Sequence, residues 1–356
     1  MKSFGLWYKQ TGNSHIEDPI FSLHVNFWSE SIKTKKSKKR TPYLDIGIKI
    51  SNYHSIEKIT FQCPFKFLKE QVFDLSDKLS KKDNANLIFN VDGEIETKDK
   101  YSLVKLDKSD TEKDLLIFPL KHDWEGVFTI EALDERTSII FDFTKFIEYI
   151  AKKPELNKIK TMYIRFRIKT NALLNGIYFD NEPLNKSFDS AFIGTRIIDF
   201  KINEKRNLAG SFVTKIEMDG QKWVEFEKIH LLVMEPSAYD VESFSNDKMT
   251  CRELEGKLWD DYLDEEIDLK KGHILAYHWK AGGNFSCLVK VRYSRAKIAT
   301  ILAYILVAIS LGVLGSLIVS FIQGLFLGQD VLFALVTLSI AVLLFVAGLV
   351  VGGTVK

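Results

Sequence analysis

From Ile298 to Ile322 the chain runs 25 residues without a charge, and from Val331 to Val351 it runs another 21. A helix needs about 20 apolar residues to cross the hydrocarbon core of a bilayer. Gly324, Gly328, Gln329 and Asp330 mark a short turn between the two runs. The pattern predicts a tight hairpin of two transmembrane helices over residues 298–356. A pair of buried core helices is the competing reading, and two adjacent runs of this length argue against it.

Lys290, Arg292, Arg295 and Lys297 crowd the entry to the first run, the turn carries no Lys or Arg, and Lys356 closes the second run. Basic flanks stay on the cytoplasmic side. The expected placement is a multi-pass protein of the inner (plasma) membrane, with the soluble region and the C-terminus in the cytoplasm. Along the first run and just past its end, Ala308, Gly312, Ser316, Ser320 and Gly324 set a small residue at every fourth position. Lipid offers no hydrophobic force between helices, so close backbone approach at small residues supplies much of their attraction. Each step of four advances about 400°, so the row drifts about 40° per step and about 160° in all. One parallel neighbour cannot follow that drift. A partner crossing at an angle can follow part of it, or two partners can share its ends. Ala334, Thr337, Ala341 and Gly348 form a second series on the other run. Three readings stay open: the row packs the two spans of one chain, drives homo-oligomers, or lines a pore of several copies. In the last, Ser310, Ser316, Ser320 and Gln323 offer polar groups to water. Neither run contains Asp, Glu, Lys, Arg or His, which argues against a proton relay.

Upstream the composition changes. Residues 298–355 hold one charged residue, Asp330, whereas 1–297 are rich in Lys, Asp, Glu and aromatics. Apolar residues alternate at Phe21, Leu23, Val25 and Phe27, and again at Leu44, Ile46, Ile48 and Ile50. Further strands are expected at 59–63, 87–91, 115–120, 127–130, 138–143, 161–168, 193–202, 212–218, 224–234, 274–279 and 285–293. Asp92-Gly93 and Asp219-Gly220 read as turns between them. This predicts a mainly β (α+β) region, sandwich- or barrel-like, interrupted by two helices. Phe143, Phe146, Ile147 and Ile150 repeat at helical spacing before Lys152-Lys153-Pro154. Thr250 to Glu253, TCRE, has capping-box form ahead of Leu254, Leu258, Trp259 and Tyr262. The break near Pro154 suggests two β-rich domains, 1–154 and 155–297; a single unit spanning both is the alternative.

The charge count, 49 basic against 47 acidic for a net +2, argues against a surface built for nucleic acid. Locally, Lys33, Lys35, Lys36, Lys38, Lys39 and Arg40 crowd six charges into KTKKSKKR. A solvated hairpin loop accounts for them. The functional alternative is the anionic inner leaflet, at roughly 1 kcal/mol per basic residue, ahead of nucleic-acid phosphates. Asp260, Asp261, Asp264, Glu265, Glu266 and Asp268 lack calcium-loop spacing and read as a solvated face beside Lys270 and Lys271. His273 and His278, five apart on one strand, point to opposite faces and share no metal. His122 and the adjacent Asp123 diverge likewise, and His230 reads as a satisfied core histidine. No nucleophile elbow, phosphate-binding glycine loop, HExxH or Cys–His pair is present, and Cys63, Cys251 and Cys287 form no CxxC. These readings predict no enzyme, no metal and no cofactor.

The uncharged runs Ile298–Ile322 and Val331–Val351 behind a soluble region resemble the layout of bacterial antiviral-defence effectors. In those proteins a soluble sensor controls a two-span membrane module. The resemblance implies detection of a protein or nucleotide trigger, then homo-oligomeric assembly and disruption of the bilayer. An anchored binding or scaffold protein without pore activity is the alternative.

Overall fold

The computed structural model describes residues 2–12, 17–32, 41–89, 92–98, 101–105, 114–120, 128–174, 176–181, 192–208, 210–245, 248–254, 256–264, 267, 273–294, 298–327, 336 and 338–347. Two units divide the chain: Met1–Asp180 with Arg196–Val291, and Asn181–Thr195 with Arg292–Lys356.

In the first unit the period-two alternation becomes two facing sheets. The larger has ten strands. Its spatial order is Thr250–Glu253, Ile274–Ala281, Phe226–Pro236, Ile20–Trp28, Tyr43–Ser51, Thr161–Lys169, Leu115–Ile117, Tyr101–Lys105 and Glu94–Lys98, with Val72–Asp74 also paired to Thr161–Lys169. Two of its pairings are parallel, Phe226–Pro236 on Ile20–Trp28 and Thr161–Lys169 on Leu115–Ile117. The smaller sheet runs Lys222–Trp223, Gly5–Gln10, Ile56–Cys63, Arg136–Asp142 and Phe128–Leu133. A further sheet joins Tyr178–Asp180, Ile193–Ile202, Phe285–Ser294 and Asp240–Ser243.

Leu6, Phe61 and Phe141 of the smaller sheet share one buried core with Leu23, Ile48 and Phe166 of the larger. Phe166 lies 5.8 Å from Phe61 and 5.7 Å from Phe141 between ring centres. Each such side chain contributes roughly 1.5–3 kcal/mol by leaving water. The result is a sandwich. The alternate residues of the larger sheet point away from that core. Helices Ser76–Leu79, Lys82–Phe89 and Gly256–Leu263 cover part of this outer face, where Trp28, Tyr43 and Met234 pack with Trp259, Tyr262 and Leu263.

Four expectations change. The break near Pro154 falls inside the first unit, because Thr161–Lys169 pairs along its full length with Tyr43–Ser51. Residues 212–218 belong to a helix, Gly210–Met218, and not to a strand. Its end shows why: Gln221 N–H donates to Ile216 O at 3.0 Å, Gly220 N–H donates to Glu217 O at 3.3 Å, and Gly220 sits at φ 64. That is a left-handed glycine helix stop, so Asp219-Gly220 is no hairpin turn. Residues 87–89 likewise lie in the helix Lys82–Phe89, since a short apolar run does not separate strand from helix by period alone. TCRE forms an exposed edge strand paired with Ile274–Ala281, and the helix starts only at Gly256. In that helix Trp259 and Tyr262 are buried as expected, whereas Leu258 is 58% exposed.

The second unit contains the helix Ile298–Leu327, of which Ile301–Gly324, 24 residues, is long and apolar enough to cross a membrane. Phe192 packs on Tyr304 with ring centres 5.0 Å apart. Of the expected second span, only Val336 and the apolar helix Leu338–Ala347 are described. Ten helical residues rise about 15 Å, half the hydrocarbon core.

Asn203 ties three segments of the first unit together. At φ 55, its side chain accepts from Leu6 N at 2.7 Å and donates to Leu6 O at 3.2 Å and Val224 O at 2.9 Å. Asn203→Ala strands the buried Leu6 amide and puts Ala in the left-handed region, so urea unfolding should show a loss of about 2–4 kcal/mol. Asn203→Gly should recover only the backbone part, about 1 kcal/mol.

Candidate functional site

The outer face of the larger sheet carries a connected polar system. Alternation on Tyr43–Ser51 sends Asp45 outward beside Leu44 and Ile46, and on Thr161–Lys169 it sends Tyr163, Arg165 and Arg167 outward. Arg167 grips Asp45 with two bonds, Nε to Oδ1 at 2.6 Å and Nη2 to Oδ2 at 3.0 Å. Asp45 Oδ2 also accepts from Trp28 Nε1 at 3.2 Å and from Tyr262 Oη at 2.9 Å. The Tyr262 hydroxyl in turn accepts from Arg165 Nε at 2.7 Å. Guanidinium groups only donate, so this fixes the direction of the chain: Arg165 to Tyr262 to Asp45.

From Arg165 a second arm leads to the open part of the face. Nη1 donates to Tyr163 Oη at 2.8 Å, which leaves the phenol proton for His24 Nδ1 at 3.0 Å. Neutral His24 then carries its proton on Nε2. With the Asn26 amide turned so that its oxygen faces the guanidinium, it accepts from Arg165 Nη2 at 2.9 Å. Arg165, 1% exposed, is thus held by three neutral acceptors, while the buried carboxylate belongs to Arg167. Gly47 stands between His24 and Arg165 in the cross-strand register. A Cβ there would lie 1.9 Å from Tyr163 Oη and 2.6 Å from its Cζ. Glycine is what allows the phenol to cross the strand.

Three histidines continue the row. His24 is opposite His230 across the parallel pair, with ring centres 5.1 Å apart, and His230 Nδ1 lies 3.0 Å from His278 Nε2. All three are half-buried. Burial first, then Arg165, His230, Lys49 and His278, pushes His24 down to about 3. Burial, then His278, Lys280 and Lys228, pushes His230 down to about 4, and burial with Arg252 and Lys280 lowers His278. At neutral pH the row is uncharged imidazole beside fixed positive charge. It offers hydrogen-bond donors and acceptors to a ligand.

His230 is therefore no core histidine, because it points away from the core that Ile229 and Leu231 enter. His278 finds its partner on a neighbouring strand, and His273 pairs instead with Glu253. The acids read as a solvated face partly clamp helices together. Asp261 receives Lys81 Nζ and Asn84 Nδ2, each at 2.7 Å, Asp264 pairs with Lys78, and Asp260 accepts from Ile267 N at 2.8 Å. Lys290 lies 3.6 Å from Glu242, and Arg292 is exposed. Arg295, Lys297, Gly348, His122, Asp123 and the basic stretch Lys33, Lys35, Lys36, Lys38, Lys39 and Arg40 lie outside the described residues. On the apolar helix Ala308, Gly312, Ser316 and Ser320 are exposed and Gly324 is half-buried, while Ala303, Ser310 and Leu317 are buried. Ser310 Oγ donates to Leu306 O at 2.6 Å, which satisfies its hydroxyl. Ala341 of the short apolar helix is fully buried.

Two other places compete for attention. A cavity of about 430 Å³ is walled by Phe65, Ile177 and Phe179. Two of its lining charges are paired, Lys66 with Glu135 at 3.3 Å and Asp199 with the neighbouring Lys201 at 3.1 Å, and Lys2 also lines it. Elsewhere Arg196 holds Glu30 at 3.1 Å and Asp180 at 3.2 Å, near the wholly buried Glu235. Burial pushes Glu235 up to about 7, against the pull of Arg196 and Ser29. Among the described residues, neither place gathers several cations without paired carboxylates as the histidine face does.

No family model and no curated protein matches the sequence. Among solved structures, the chain is similar to a yeast delta-COP-I mu-homology domain complexed with a Dsl1 WxWxV peptide, at 8% identity over 79% of this chain and 77% of that one. The TM-score is 0.18, too low for the likeness to carry an argument.

Gly47→Ala should cost about 1–3 kcal/mol by overpacking and lower the melting temperature. Adding Tyr163→Leu should restore part of the loss, and an unchanged Tm for the single variant would refute the crossing. Glu235 sets a pH trend. Its carboxyl is neutral in the folded protein and ionised in the unfolded chain between the ordinary Glu value and about 7, so stability falls as pH rises through that window. Glu235→Gln should remove the trend. Its advantage over the parent in urea should grow by roughly 2–3 kcal/mol from pH 5 to pH 8.

Proposed function

We propose that this protein is a membrane-anchored cytoplasmic sensor and effector, of the antiviral-defence kind that its layout resembles. The β-rich unit recognises a trigger on the half-open face of His24, His230 and His278. The apolar hairpin, assembled in several copies, disrupts the inner membrane. One observation carries the reading: a single chain joins a pre-set polar recognition face to an apolar helix whose small-residue row is uncovered. Gly312 and Gly315 have open space where a Cβ would stand, which suits close approach by a second helix. A trigger acts here only by binding the assembled state more tightly than the free one.

The test is a membrane-potential dye in cells that express the full chain during bacteriophage infection. The expected result is depolarisation with the parent protein and its loss with Gly312→Leu/Ser316→Leu at equal membrane abundance. A steady potential across a phage panel, with the protein intact and inserted, would leave the anchored scaffold as the reading. An unrelated two-span anchor in place of residues 298–356 makes the same distinction, since only a scaffold tolerates that exchange.

A further inference from the structure

We propose that the histidine face binds a phosphate-bearing ligand, and this rests on the reading of that face as the trigger site. The argument begins with strand parity. On Ile20–Trp28, Tyr43–Ser51, Phe226–Pro236, Ile274–Ala281 and Thr250–Glu253, the side chains that share a face with His24, His230 and His278 include Lys49, Lys228, Lys280 and Arg252. The one carboxylate on that face of these five strands is Asp45, which already accepts four hydrogen bonds from Arg167, Trp28 and Tyr262. The charges that act on the three imidazoles are all positive: Arg165, Lys49, Lys228, Lys280 and Arg252.

The nearest acid is Glu227, beside Lys228 at 3.0 Å and within the influence of Lys49. It is exposed and engaged at the rim. Among the described residues no carboxylate pairs with Lys49, Lys280 or Arg252. Arg165 adds a buried charge whose own hydrogen bonds go to neutral acceptors, while Asp45 bonds Arg167 and acts on Arg165 only through the Tyr262 hydroxyl and at a distance. Like charges left unpaired on one face repel one another, and perturbed titratable groups gather at functional sites. Phosphate suits the place better than a single carboxylate. It brings close to two negative charges and three acceptor oxygens, enough to use imidazole N–H groups together with Lys280 and Arg252, which stand on adjacent strands.

Binding should also draw protons onto the row. An anion favours imidazolium, so the imidazole pKa values rise on binding, protons are taken up, and affinity increases as pH falls.

Full-length protein in neutral phosphatidylcholine nanodiscs, titrated calorimetrically with inorganic pyrophosphate, tests a free phosphate. The same protein in nanodiscs that contain phosphatidylinositol phosphate, followed by hydrogen exchange on the strands of His24, His230 and His278, tests a headgroup. Saturable binding or protection in either arm supports the site, if it weakens at least tenfold in both Lys280→Glu/Arg252→Glu and His230→Ala. It should tighten at least threefold from pH 8 to pH 6, with buffer-dependent proton uptake. The first variant changes exposed side chains, so a folding defect in the second does not blur the result. No binding in either arm overturns the proposal, and so does binding that ignores both variants. Depolarisation that persists in Lys280→Glu/Arg252→Glu would sink the phosphate inference while leaving the sensor and effector reading in place.

Discussion

The outer face is organised around one buried carboxylate. Asp45 is fully buried, and it holds Arg167, Tyr262 and Trp28 in fixed positions through four hydrogen bonds. Those partners come from two other strands and a helix, so one acid determines how Gly256–Leu263 seats on the sheet. Removing one member of such a group strands the others in low dielectric, at about 3–5 kcal/mol. Replacing all of it by well-packed apolar residues would cost far less. Stability alone therefore does not require the network. What it provides is a rigid mount: Tyr262 passes hydrogen bonding from Arg165 to Asp45, and Arg165 then fixes Tyr163 and His24.

The same mount explains why the histidine row keeps its form. A half-buried imidazole at a sheet surface has several rotamers open to it. Here His24 is set by Tyr163, whose ring is laid across Gly47, and His230 is set by His278 at 3.0 Å. A ligand meeting this row finds its polar groups already placed, which spares the ordering entropy that a loose site would spend on binding. Packing and the histidine row meet at Arg165, which is wholly within the fold yet one phenol away from His24.

Much of the sandwich could be read from alternation. In SLHVNFW, LDIGIKI and YIRFRIK the alternating Leu, Val, Ile and Phe letters mark the inner face, and that face is buried as expected, while Trp28 falls on the outer one. The polar letters of the same strings carry the candidate site, and two cues in them were legible. A glycine inside a strand marks close approach by another group, and arginine recurring on one side of an apolar strand marks a buried polar face. What no string contains is the pairing of distant strands. His230 and His278 are 48 residues apart, and His24 lies on a strand that pairs in parallel with that of His230. Short elements failed for a different reason. The helix Gly210–Met218 and the edge strand Thr250–Glu253 are each so brief that one stop signal or one edge pairing outweighs the local pattern.

On the long apolar helix Ile298–Leu327, period decides which face does what. Ala303, Ser310 and Leu317 are buried at intervals of seven, and seven residues turn the helix through about 700°, only about 20° short of two full turns. They make a nearly straight seam of the kind two helices share at a shallow crossing angle. The small row obeys another period. At about 100° per residue, Ala308 and Gly312 each lie about 160° around from Ser310, on either side of the opposite face, and each later step of four carries the row about 40° back toward the seam. Gly324 arrives within about 40° of it. The burial follows this geometry, with Ala308, Gly312, Ser316 and Ser320 exposed and Gly324 half-buried. The seam and the row are therefore separate surfaces that converge only at one end. A helix that needed a single neighbour would have put its small residues on the seam. Here Ala303 and Ser310 serve the seam, while Ala308, Gly312, Ser316 and Ser320 stay on an exposed face of the helix.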